Sequence, residues 1–147
     1  MKVPFLIGRI LFGSFFIYTG IEHFRKRRAM AEYAGAKHVP KPDVGVALTG
    51  AMLVVGGTSI LLGLKPKIGE ALILAFLASV SPLMHDFWKQ EDPAQRQNDQ
   101  INFFKNMALA GASLALAGVG EPWPMSVQVA QPSAPRRVLQ FARRLAA

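Results

Sequence analysis

The side chains in this chain that can bind, protonate or coordinate gather at the margins of apolar runs. His23 follows Glu22 at the end of one run, His85 precedes Asp86 and Trp88 at the end of another, and Lys105 and Asn106 stand just inside a third. His38 lies between two runs. Imidazole and carboxylate are acids, bases and metal ligands, whereas ammonium and amide groups donate hydrogen bonds to carbonyl oxygens. Metal chemistry lacks its usual spacing, because the histidines form neither an HxxH nor an HExxH pair. With no cysteine, disulfides, thiol redox chemistry, zinc fingers and Cys-ligated iron–sulfur clusters are excluded. Haem between His23 and His85 has ligands of a suitable type but no spacing that singles it out. No metal is expected.

Four apolar runs must position these groups. Hydrophobic residues make up 51% of the 147, and most fall within residues 3–24, 44–64, 68–84 and 101–120. A membrane-spanning helix needs about 20 predominantly apolar residues to cross about 30 Å of hydrocarbon. The run at 44–64 carries no charge, and the run at 68–84 carries one glutamate, Glu70, near its start. Soluble core helices would show a polar face, and these runs show none. Small residues recur inside them: Gly13 and Gly20, Gly50, Gly56 and Gly57, and Ala108, Gly111 and Ala112. Such residues let helices approach closely in lipid. The expected fold class is all-α: a polytopic membrane four-helix bundle over residues 1–120. A Pro-containing linker and a basic amphipathic tail, 121–147, follow, with a short interfacial helix or a tail starting near Ser133.

Four crossings put both termini and the 65–67 turn on one side, side A. The segments 25–43 and 85–100 then share side B. Lys and Arg number 17, and this layout divides them almost evenly, so their count does not orient the chain. The basic tail favours side A as the cytoplasmic side, facing anionic lipid. The net charge of +8 has the same explanation, and nucleic acid is not an expected partner. Arg9, about one turn inside side A, is expected to anchor on headgroups.

All three histidines fall at side B, with Glu22, Asp86 and Trp88. Ser14, Tyr18 and Glu22 are spaced by four and form one stripe on the first helix; Arg9, Phe16, Gly20 and His23 form another. Ser81 and His85 share a face of the third helix, and Asn102 and Asn106 share one of the fourth. Together these stripes enclose an expected pocket with Tyr18, Glu22, His85, Lys105 and Asn106 around it. Segment 25–43 is mainly basic and 86–99 mainly acidic, so the two can pair across the rim.

The stretches RILFGSFFIYTGIEHF, AGAKHVP, GAMLVVGGTSILLGLKPKIGEALI, and MHDFW followed by FFKNMALAGA resemble the DoxX family. The resemblance covers about residues 5–118 and leaves the tail outside. Many relatives carry lysine near the end of the first span, where this chain has Glu22 and His23, so no role is carried over to that position. The resemblance implies a small four-helix protein of the bacterial inner membrane, associated with oxidoreductase assemblies and in contact with quinone. Its implied partners are the bilayer, other membrane redox subunits and further copies of itself. The alternative is a non-catalytic accessory or scaffold subunit that anchors a larger membrane complex, its side B loops binding a partner.

Overall fold

A computed structural model describes residues 2–127. The basic tail expected after residue 127 lies outside the described residues. Within them the chain forms five α-helices and no strand: α1 Lys2–Arg25, α2 Arg27–Ala36, α3 Pro42–Leu62, α4 Pro66–Met84 and α5 Pro93–Ala117. A short 3-10 turn, Phe87–Lys89, joins α4 to α5. The all-helical reading holds, with five α-helices among the described residues. The segment expected as the first loop contains α2.

Local chemistry fixes the boundaries. α3, α4 and α5 each begin on a proline, whose missing N–H costs nothing in the first turn. Asp92 caps α5 by accepting from the Ala94 N–H at 3.0 Å, so this helix starts at Pro93 rather than near residue 101. α3 closes in a Schellman turn: Leu64 N–H donates to Ser59 O at 3.0 Å and Gly63 N–H to Ile60 O at 3.2 Å. Gly63 takes the left-handed φ of 68° that this turn requires.

α1, α3 and α4 are long and apolar enough to cross a membrane. The helices pack in chain order, α1 against α3, α3 against α4 and α4 against α5, with α2 lying on α3. Glycines set the first two contacts. A Cβ placed on Gly57 would sit 2.6 Å from Gly13 O, one on Gly20 2.8 Å from Gly50 O, and one on Gly69 2.7 Å from Gly56 O. The backbones touch at these levels, which is how dispersion and weak contacts hold helices that lipid does not drive together. Gly111 meets nothing within 4 Å, so it makes no such approach.

The buried core is Phe16, Leu53, Ile60, Ile73, Phe76, Leu77 and Trp123. On α1 the buried stripe is Arg9, Gly13, Phe16 and Gly20, while Leu11 and Tyr18 face outward. Arg9 is 2% exposed, which corrects its expected role as a headgroup anchor. It donates to the carbonyls of Pro124 at 3.1 Å and Met125 at 2.9 Å. That holds residues 119–127 as a cap over the side A end, with Trp123 inserted into the core. The Val127 N–H closes the cap on Leu62 O at 3.0 Å.

Candidate functional site

A cavity of about 520 Å³ opens at the side B end, beneath α2. Phe15 and Phe16 of α1, Val46 of α3, Phe76, Leu77, Val80 and Leu83 of α4, and Leu109 of α5 make most of its wall. Ala29, Met30, Tyr33 and Ala34 of α2 roof it. Size and lining suit an apolar body with a small polar head.

Several polar wall residues are already committed to their own helices. Thr19 donates to Phe15 O at 2.8 Å, Thr49 to Gly45 O at 2.8 Å, and Ser79 to Ala75 O at 2.8 Å. The groups with spare capacity are His23, His85, Lys105 and Asn106, all of which line the cavity. His23 Nδ1 lies 2.8 Å from Thr19 O. A carbonyl only accepts, so Nδ1 carries the proton, and in the neutral ring Nε2 is an acceptor. Asn106 is 8% exposed, seven residues after Asp99 on the buried face of α5. Lys105 donates to Asn102 Oδ1 at 2.7 Å and keeps two further N–H donors.

His85 is oriented by a carboxylate. Its Nδ1 lies 3.3 Å from Oδ1 of Asp99, which is wholly buried and also accepts from Gln95 Nε2 at 3.2 Å. The same tautomer argument leaves His85 Nε2 as an acceptor. Lys37, at the end of α2, reaches over both acids: 2.5 Å to Asp86 Oδ1 and 3.8 Å to Asp99 Oδ2. Burial alone would pull the Lys37 ammonium below the usual lysine range. The hydrogen bond to Asp86, with the negative charges of Asp86 and Asp99, outweighs it and holds the group above that range. Burial, with the negative field of Asp99 and Asp86, pushes the Tyr33 phenol up despite Lys37. The phenol therefore stays protonated and donates to Met84 O at 3.3 Å. Both contacts fasten α2 over the cavity. Phe87 and Trp88 pack edge-to-face at 5.1 Å, and Trp88 and Phe103 at 5.7 Å, which steadies the 3-10 turn that carries Asp86.

Of the five residues expected around the pocket, His85, Lys105 and Asn106 line the cavity. Tyr18 is 62% exposed on the outward face of α1. Glu22 is buried but held by Lys26 at 2.5 Å and Arg25 at 3.1 Å, away from the lining. His23 takes the place these two were expected to fill. The signal for it was present: Gly13, Phe16, Gly20 and His23 are spaced by three and four, and the glycines mark the packed face. Asp99, Lys37 and Tyr33 were not anticipated individually. His38 is exposed, with a φ of 61°.

The DoxX family model matches residues 5–86. The chain is also similar to the inner membrane protein YphA of Escherichia coli (strain K12), with 28% identity over 118 residues, 80% of this chain and 84% of that protein. No solved structure matches it significantly.

Proposed function

This chain belongs to the DoxX family, and from that premise we propose that it is a membrane subunit of a quinone-linked redox system that holds a quinone headgroup in the side B cavity. It is an integral membrane protein. We place it in the inner membrane with both termini cytoplasmic, alongside other redox subunits. The observation that carries the reading is an apolar cavity of about 520 Å³ with two histidines, a lysine and an amide at its polar end. Lys105 and Asn106 donate to the carbonyl oxygens of a quinone. The Nε2 atoms of His23 and His85 accept from the hydroxyls of a quinol. Asp99, hydrogen-bonded to His85, stabilises the imidazolium that follows proton transfer. Electrons leave to or arrive from a partner subunit.

The same reading takes α5 as a fourth crossing. Its buried face is polar, with Asp99, Asn106 and Ser113, while Ile101, Phe104, Met107 and Leu114 are exposed. A helix with apolar residues outside and polar ones inside is suited to lipid rather than water. The polar inward stripe lowers its mean hydropathy.

Titration of a short-chain ubiquinone into the detergent-purified protein, followed by quenching of tryptophan fluorescence, tests the proposal. Saturable binding is expected. His85→Ala and Asn106→Ala should each weaken it about fivefold, the equivalent of one lost hydrogen bond of about 1 kcal/mol. Binding that never saturates, together with lipid extracts free of quinone, would reject it.

A further inference from the structure

At the opposite end of the bundle stands an acid that the cavity does not use. Glu70 is 1% exposed, and both carboxylate oxygens are buried without a hydrogen-bond partner among the described residues. It forms no ion pair among the described residues. Ser113 on α5 lies as far from the end of its helix as Glu70 does from the start of α4, and its hydroxyl is also buried and unpartnered. Residues 119–127 cap this end, with Trp123 in the core, and separate it from water.

An ionised carboxylate without a cation or hydrogen-bond donor is strongly disfavoured in such surroundings, a cost that uptake of one proton removes. We propose that Glu70 is a proton-binding site, occupied at neutral pH and sealed under the cap on the side A face. A metal ion is a poorer occupant. Calcium takes six to eight oxygens and magnesium about six, whereas no group of three or more acidic or histidine side chains gathers among the described residues. The charged groups near enough to act on Glu70 are Glu121 on the cap and Lys67 one turn earlier on α4. α1 contributes Arg9, whose two terminal nitrogens are committed to the cap carbonyls, while its Nε–H is buried without a hydrogen-bond partner among the described residues. α3 after Asp43 and α5 after Lys105 carry no charged residue. The site is independent of the quinone cavity and stands or falls separately from it.

Infrared spectroscopy of the full chain in lipid vesicles, in H2O and D2O, provides the test. At neutral pH the wild type should show the carbonyl stretch of a free carboxylic acid, downshifted in D2O. Glu70→Gln should lose that band completely and keep its thermal stability. Should Glu70→Gln fail to fold, Glu70→Asp keeps an acid at the site and should shift the band without abolishing it. Absence of the band in the wild type, its persistence in Glu70→Gln, an unshifted band in Glu70→Asp, or its removal by sodium at constant pH would overturn the proposal.

Discussion

Lys37 joins three parts of the chain with one ammonium group: the end of α2 that carries it, the 3-10 turn through Asp86, and α5 through Asp99. Its side chain is 16% exposed and that of Asp86 13%, so the pair is screened less than a surface ion pair. A double-mutant cycle of Lys37→Gln and Asp86→Asn should return a coupling of about 1 kcal/mol in detergent stability. The pH dependence follows from the raised lysine. A group held above its unfolded value lends stability that is complete below that value, about 10.4, and is lost as pH rises through the folded one. Wild-type thermal stability should therefore fall faster than that of Lys37→Gln only on the alkaline side; equal slopes would contradict the assignment. The sequence marked His85, Lys105 and Asn106 through their position beside apolar runs. It did not mark Lys37 with Asp99, since a pair so far apart along the chain exists only once α2 has folded over the rim.

At the scale of helices, the contact between α1 and α3 depends on glycine more than on side-chain volume. Gly57→Ala should destabilise by about 1–3 kcal/mol, because the new methyl lies 2.6 Å from the Gly13 carbonyl and a backbone cannot yield as a side chain does. Gly111→Ala, with open space around it, should be neutral or stabilise by a few tenths of a kcal/mol. Thermal unfolding of both variants in one detergent separates them, and equal losses would remove glycine contact as the cause. The apolar runs were legible because a bilayer imposes length and composition together. α2 was not: RRAMAEYAGA is short and carries three charged residues, and its apolar side acquires meaning only from the cavity it covers. On α1 the stripe of Ser14, Tyr18 and Glu22 carries polar oxygens but leaves Tyr18 exposed. The packed stripe was the one carrying glycine.

Residues 2–127 form an open row of helices with a ligand-sized cavity beneath α2 at one end and a buried acid under the 119–127 cap at the other. The basic run of residues 25–28 is ion-paired within the protein, Arg25 and Lys26 to Glu22, Arg27 to Asp43 and Arg28 to Glu32, and of the four Lys26 alone lines the cavity. If α5 crosses, single cysteines at positions 38 and 95 label from one face and one at position 65 from the other; labelling of 38 and 95 from opposite faces would remove the shared rim. The most direct measurement is photocrosslinking of an azido-quinone to the protein in membranes, with the adducts mapped by mass spectrometry. Adducts should concentrate on cavity-lining peptides around Met30, Leu83 to His85, and Lys105 to Leu109, and excess unlabelled quinone should compete them away. Adducts spread over the lipid-facing positions Leu11, Tyr18 and Leu48 and insensitive to competition would contradict a quinone site in this cavity.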